Sequence, residues 1–495
     1  MRGPDDWAAG LALCVDVGST FTKAAAVGLP DGRLLATASG PTTLARDVLE
    51  GVDAVLADLR ANVVESAMAL AAPDAVTEAG RAAARAAHSA KVLACSSAGG
   101  GLRLAVVGYE RAVTAEAGYR VGLSAGAKVV HVATGRLDAD ALRALAAATP
   151  DLVLLVGGTD GGNSEVLVHN AGALASSPVR LPVVVAGNAA VRDQVVALIS
   201  ATGGTALPAA NVLPRIGVLD PLPARAAIRE VFIRHVIGGK QLSASPRFAA
   251  MVMAATPDAV LAGVELLADG VDGVPDLPGA GDVVVVDVGG ATTDVYSVIT
   301  PDPDQVAARC EVVETLWRSR TVEGDLGMRW NAPGIVAGAV TEHLVDDAEA
   351  AGLAVEAQRR AQDPSWLPDD ANGRAVDARL ARLAVTVALR RHARPQDSGQ
   401  LRTPGKDLRR VRLVVGSGGV LRHAGPAQVR FVLDPARSDN AGGWRVPERA
   451  ALAVDARYVL AAAGLLAGEH PMAAARLAAT AAGDLDQVAE PPLER

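Results

Sequence analysis

Short apolar runs that stop at a polar residue and a glycine recur along the chain, separated by longer stretches of helical period. The first is LALCVDVGSTFTKAAAV at 11–27, where an apolar run meets Asp16, Gly18, Ser19 and Thr20 and then turns apolar again. With GRLLATASG behind it, the segment 11–40 reads as a β-meander turning at Gly-Ser-Thr and Pro-Asp-Gly. Residues 44–70 read as helix, 91–108 as strand, glycine turn and strand, and 110–126 as helical in composition. From 128 to 212 the runs KVVHVATG, DLVLLVGG, LPVVVAGN and ALPAANV alternate with helical stretches. Continuous apolar strands with helical connections predict a small parallel sheet covered on both faces. Residues 224–270 read as mostly helical, and the Pro/Gly-rich VDGVPDLPGAG at 271–281 marks the best domain boundary. The strand DVVVVDVGG follows, then an amphipathic helix over 372–394, then VRLVVGSGGV as strand and glycine turn, and finally the polar GDLDQVAEPPLER.

One of these runs repeats. VDVGSTFTKAAAV lies over VDVGGATTDVYSV at 286–298, with Asp16 over Asp287 and Thr22 over Thr293, 271 residues on. Asp-x-Gly alone is ordinary turn chemistry, because glycine accepts positive φ and aspartate caps its own turn. Two matching hairpins, each opening a segment of a couple of hundred residues, instead predict two similar domains facing each other. The chemistry suits a nucleotide phosphate site. Glycines let backbone N–H groups approach phosphate oxygens, and hydroxyls such as Ser19 and Thr292 add donors. A carboxylate at a strand end suits magnesium, which keeps several waters and takes few protein ligands.

Composition narrows the class. The chain of 495 residues is long enough for two to four domains and is 50% apolar but only 3% aromatic, which favours α/β layers packed with small side chains. Net charge is −8, with no basic stripe that would suggest nucleic acid. Cys14, Cys95 and Cys310 lie far apart without a CxxC, so neither a disulfide framework nor a zinc or Fe–S site is expected. No apolar run reaches the ~18 residues that cross a bilayer. MRGPDDWAAG lacks the apolar core of a signal peptide. The expectation is a soluble cytoplasmic protein without a membrane partner.

The motifs DVGST at 16–20, DVGGATTD at 287–294 and VVGSGG at 414–419 resemble, in order, the phosphate-1, phosphate-2 and adenosine motifs of the actin, heat-shock chaperone and sugar kinase superfamily. More narrowly, CVDVGSTFTKAAAV, LLVGGTDGGNSEVLVHNA, VVVAGNA, RTVEGDLGMRWNAPG and VVGSGGVLRHA resemble the accessory (reactivating) proteins of adenosylcobalamin-dependent glutamate mutase, over roughly 11–465. The resemblance implies an α/β fold of two actin-like (ribonuclease H-like) ATPase lobes, at 11–275 and 281–470. It leaves 128–212 as an inserted flavodoxin-like module in the first lobe and 471–495 as a tail. It implies ATP or ADP with magnesium as ligands, mutase subunits as partners, and slow ATP hydrolysis that drives exchange of damaged cobalamin for fresh cofactor.

Residue by residue, the superfamily resemblance gives magnesium to Asp16 and Asp287 and the β- and γ-phosphates to Gly18, Ser19, Thr20, Gly289, Gly290 and Thr292. Gly416, Gly418 and Gly419 would lie under adenine and ribose. Lys23 either reaches a phosphate or is an exposed strand-edge lysine. Heat-shock chaperones carry a water-orienting glutamate just before a proline, and here Thr256 precedes Pro257. That departure leaves Asp294, seven residues after Asp287, as the candidate for the catalytic role. EGDLGMR at 323–329 resembles the helix start after phosphate-2, with Glu323 and Asp325 as helix-capping acids. His131, His169 and His235 have no ligand spacing and read as structural, and GGTDGGN at 157–163 reads as a ligand loop or a tight strand-to-helix turn.

Three rivals stand beside this reading. A small-molecule kinase of the same superfamily would need a polar substrate pocket with a catalytic aspartate, for which no clear motif is present. An activator of a radical dehydratase would need a bridging Fe–S cluster. A non-hydrolysing nucleotide-dependent scaffold would fit the missing glutamate.

Overall fold

The computed structural model describes residues 10–483 apart from 30, 74, 99–101, 126, 179, 238–241, 301–317, 399–400, 404, 440 and 442. Cys310, the glycines at 99–101 and the polar segment from 484 therefore lie outside the described residues.

Strands β1 (Leu11–Val17), β2 (Phe21–Gly28) and β3 (Leu34–Pro41) form the antiparallel meander, and β4 (Lys91–Ser96) adds parallel to β1. The chain then leaves this sheet for a second one: β5 (Arg103–Gly108), β6 (Lys128–Thr134), β7 (Leu152–Leu155), β8 (Val183–Val185) and β9 (Ala206–Pro208), all parallel. It returns with β10 (Val252–Ala255), parallel to β4, so the first sheet has the order β10-β4-β1-β2-β3.

The second lobe repeats that plan. Strands β11 (Val283–Val288), β12 (Thr293–Val298) and β13 (Arg318–Glu323) are antiparallel; after a small hairpin of β14 (Gln396–Ser398) and β15 (Leu401–Thr403), β16 (Leu413–Ser417) and β17 (Ala451–Val454) add in parallel. The order β13-β12-β11-β16-β17 is that of the first sheet, strand for strand. Two lobes of one topology are the actin-like α/β fold expected from the repeat.

Alternation along the strands gives each sheet two buried faces. Leu13, Val15, Ala24 and Ala26 face outward helices of the first lobe, and Val284, Val286 and Val295 those of the second. Cys14, Ala25, Val283, Val285 and Tyr296 face one shared core between the lobes, built with the helices Thr256–Asp269 and Val459–Leu466. These helices cross closely. A Cβ on Gly263 would overlap the Leu460 carbonyl oxygen, and one on Gly464 the Ala259 carbonyl oxygen.

Several boundaries differ from the sequence reading. The inserted sheet begins at β5, second in its spatial order, and not at residue 128, because β4 and β5 belong to different sheets although only residues 97–102 separate them. Its order β6-β5-β7-β8-β9 is the flavodoxin-like 2-1-3-4-5. EGDLGMR, expected at a helix start, instead begins on Glu323, the last residue of edge strand β13, and continues outside any helix; the next helix runs from Ala332 to Thr341. Glu323 and Asp325 are not its caps but ion partners of Arg391, each at 2.7 Å. The Pro/Gly linker is folded back, with Ala280 and Gly281 N–H donating to Leu267 and Ala268 carbonyls at 2.8 and 3.0 Å. The expected tail begins with the helix Pro471–Gly483, whose Ala474, Leu477 and Ala478 are fully buried in the interlobe core.

Candidate functional site

The strand alternation that builds the shared core also places the charged pairs. Asp16 continues the face of Ala12 and Cys14, and Lys23 lies opposite it in register on β2. Asp287 continues the face of Val283 and Val285, and Asp294 lies opposite it on β12. All four therefore project from the ends of the facing sheets toward the space between the lobes. The turns match as well. Gly18 N–H donates to Phe21 O at 3.1 Å, and Gly289 N–H to Thr292 O at 2.9 Å.

In the first hairpin Lys23 Nζ lies 3.6 Å from Asp16 and 4.0 Å from the centre of the Tyr458 ring. Burial works against its charge, but Asp16, Tyr458 and Asp287 outweigh it and hold the ammonium above the ordinary lysine range. Thr256, the residue standing where chaperones carry glutamate, donates to Asp16 Oδ1 at 2.6 Å. In the second hairpin burial pushes Asp287 up to about 6; Lys23 opposes the shift, and Asp294 and Asp16 add to it. Asp294 pairs with the buried Arg320 at 3.1 Å through Oδ2, which Thr292 Oγ1 also approaches at 3.5 Å. Its Oδ1 is buried with no hydrogen-bond partner.

The glycines divide by role. A Cβ on Gly416 would press on Leu421 and Leu433, so this glycine makes room for core side chains. Gly418, at φ +103°, lets the end of β16 touch the Val288 carbonyl. Gly419 alone of the three faces open space, at the start of the short helix Gly419–Arg422. Across the cleft, a Cβ on Gly290 would lie 3.4 Å from Thr20 Oγ1, so the two hairpin turns face each other closely.

Magnesium fits this donor set. Among the described residues no three His, Cys, Asp or Glu side chains gather as a metal cage. Magnesium needs no cage, since it keeps most of its own waters. Asp16, Asp287 and Asp294 share the site with Lys23 and Arg320, and of the three Asp287 has no ion pair of its own among the described residues.

Sequence reasoning missed Tyr458, Arg422, Arg320, Ser417 and Trp330. Tyr458 sits at φ +54° with Lys23 on its ring and Arg422 4.9 Å from the ring centre. Ser417 lies opposite Asp287, and the repeat points to it, because Cys95 lies opposite Asp16 in the same way. His169 Nε2 meets Leu137 O at 3.2 Å, and His131 is partly buried with its Nε2 unpartnered, while the side chain of His235 lies outside the described residues. The 157–163 loop is tied by Asn188 and Asn211, with Asn211 Nδ2 donating to Gly158 O at 3.0 Å and to Asp160 at 2.9 Å, as a tight strand-to-helix turn requires.

Among described residues no helix is long and apolar enough to cross a membrane. Among solved structures, nucleotide-free acetone carboxylase is similar at 14% identity and a TM-score of 0.36, over 92% of this chain and 70% of that one. A ROK hexokinase from Thermus thermophilus is similar at 14% identity and a TM-score of 0.25, over 96% and 99%. The fold assignment rests on the strand orders themselves. Protein MutL of Clostridium tetanomorphum is 35% identical over 477 residues, 94% of this chain and 97% of that protein. Residues 12–481 match the family described as MutL protein. A match of that extent leaves only the two ends outside it, and the chain belongs to the MutL family.

Proposed function

We propose that the chain is an ATP-dependent reactivating factor that exchanges damaged cobalamin for fresh cofactor on an adenosylcobalamin-dependent mutase of the glutamate mutase or aminomutase class. The observation that carries the reading is the pair of hairpins of one register, turned toward one cleft, with a carboxylate at each strand end. The client follows from the sequence resemblance to glutamate mutase accessory proteins.

In this reading Asp16 and Asp287 hold hydrated magnesium, which neutralises phosphate charge. The backbone at Gly18, Ser19, Thr20, Gly289, Gly290 and Thr292 receives the β- and γ-phosphates, and Lys23 adds a cation. Gly419 opens the adenosine end. Asp294 orients water: its Oδ2 is held by Arg320, and its free Oδ1 is the one buried acceptor there without a partner. A carboxylate fixed by an arginine orients a nucleophile better than it removes a proton, which suits slow turnover.

The inserted module carries the client contact. Helix Glu116–Ser124 of the module packs on β13 of the second lobe, so movement between lobes reaches the module. Its flavodoxin-like order is the plan of cobalamin-binding domains, but it lacks their Asp-x-His-x-x-Gly, so it docks in place of such a domain without holding the cofactor. The test is phosphate release and mutase pull-down with Arg192→Glu and Asp193→Lys, two changes at the start of the helix Arg192–Ser200, where Asp193 is exposed. ATP turnover should persist and mutase capture should fall. Full capture by these and neighbouring surface variants removes the docking role, and absence of nucleotide-dependent mutase recovery removes the client.

A further inference from the structure

An exposed aromatic ring stands where the two hairpin turns meet. Trp330 is 55% exposed, in a chain only 3% aromatic. Its backbone is nonetheless rigidly held. Arg329 and Trp330 N–H both donate to Gly290 O, at 2.8 and 3.0 Å, and Met328 N–H donates to Gly289 O at 3.0 Å. Asn331 Nδ2 donates to Ala291 O and Gly324 O, both at 2.8 Å. Below the turn the Arg329 guanidinium is fixed on Asp377 at 2.8 Å, and Asp377 is fixed in turn by the fully buried Arg360 at 2.6 Å. The ring therefore moves with the glycine turn of the second lobe.

The one polar atom of that ring crosses to the other lobe. Trp330 Nε1 donates to Thr20 Oγ1 at 3.4 Å. That separation is long for a hydrogen bond, and the acceptor is a neutral hydroxyl. Thr20 Oγ1 also lies 3.4 Å from the Cβ position of Gly290. Thr20, Gly290 and the indole N–H thus border one small gap between the turns. An indole N–H only donates, so the group that satisfies it better is a charged acceptor. In the nucleotide reading above, on which this step rests, the acceptor that enters between the hairpins is the terminal phosphate.

We propose that Trp330 reads the γ-phosphate: its indole N–H exchanges the Thr20 hydroxyl for a γ-phosphate oxygen, so that triphosphate and diphosphate hold the two lobes differently. A diphosphate has no γ-phosphate oxygen to offer, and with it the indole N–H stays on the Thr20 hydroxyl. Trp330 is thereby a specificity residue that turns the presence of one phosphoryl group into a cross-cleft bond.

The experiment measures magnesium-dependent affinity of the full chain for ADP and for a non-hydrolysable imidotriphosphate analogue of ATP. In Trp330→Phe the ring remains and the donor is gone; the triphosphate analogue should bind roughly ten- to a hundredfold more weakly, the size of one hydrogen bond to a charged group, with ADP affinity unchanged. Trp330→His restores a ring N–H and should recover part of the loss. Intrinsic fluorescence should change on adding the analogue but not ADP, and that difference should vanish in Trp330→Phe. Equal weakening for both nucleotides, or for neither, overturns the inference while leaving the nucleotide site intact. A wild-type chain that binds neither nucleotide overturns the site reading and this inference with it.

Discussion

The two hairpins share a backbone and differ in what they carry. Register and turn agree: Asp16 opposes Lys23, Asp287 opposes Asp294, and the Gly18 and Gly289 turns close with the same bond. At the position facing the conserved-register aspartate, however, the first lobe has a cation and the second an anion. Lys23 pairs with Asp16, while Asp294 turns to Arg320 on the neighbouring strand. The supports differ too: Thr256 donates to Asp16, and Ser417 hydrogen-bonds Asp287. A symmetric scaffold has become an asymmetric cleft, with an ion pair across the first hairpin and two carboxylates across the second. Register fixes where groups stand, and substitution at equal register decides what each side does.

Removing the element the two hairpins share costs most. Asp16→Ala and Asp287→Ala should each lower magnesium-dependent phosphate release by about 10²–10³-fold, the usual loss when a preorganised charge contact leaves a phosphoryl-transfer site. Circular dichroism should show both folded. Near-normal turnover in either variant removes that aspartate from the site. The differing element sharpens the contrast. Lys23→Met should raise the ATP requirement with little change in maximal rate, whereas Asp294→Asn should lower the maximal rate and spare affinity. Identical effects of the two changes would mean that the hairpins do not divide binding from catalysis.

Much of this site was legible in the sequence because it follows from one repeat. Val-Asp-Val-Gly with its following apolar strand places both aspartates and both glycine turns without any tertiary information. Elements outside the repeat were less legible. The polar alternation of RSRTVE hid β13, an edge strand, and with it Arg320. The short VMAA strand β10 was absorbed into its flanking helices. The VVGSGG motif points to Gly416 as a ligand contact but not to its packing on Leu421 and Leu433, which depends on where the helices after β16 fold back. Trp330 and Tyr458 carry no periodic signal at all, since single side chains become neighbours only when two lobes close on each other.

A middle-sized effect tests whether the lobes are equivalent at their contact as well. Gly263 and Gly464 meet the opposite helix reciprocally, at Leu460 and Ala259. In an exposed helix, glycine to alanine would stabilise by about 1 kcal/mol. Here the added methyl overlaps a carbonyl, and overpacking of that kind costs about 1–3 kcal/mol. Gly263→Ala and Gly464→Ala should therefore both lower the thermal midpoint. A midpoint that rises in one variant alone would show that only one helix approaches as closely as the other.

The smallest effect concerns the outward faces of the paired sheets. Ala26 of the first lobe lies in an apolar core, whereas its counterpart in the second, Ser297, belongs to a buried polar chain. Fully buried His392, on the helix Ala371–Ala393, meets Ser297 Oγ at 2.9 Å through Nε2 and Thr321 Oγ1 at 2.8 Å through Nδ1. Burial, aided by the nearby Lys406 charge, holds His392 well below the ordinary 6.5. The folded lobe thus keeps the ring neutral, while the unfolded chain takes up a proton below 6.5. Stability from this source is complete above that pH and is lost as pH falls toward the folded value. The slope is at most about 1.4 kcal/mol per pH unit for one group. His392→Gln should flatten the fall in thermal midpoint between pH 6.5 and 5, even if it lowers the midpoint at pH 8. A wild-type midpoint that falls no faster than the variant's over that range would mean that the second lobe's polar layer carries no acid sensitivity, and that the two lobes are alike on their outer faces as they are in strand order.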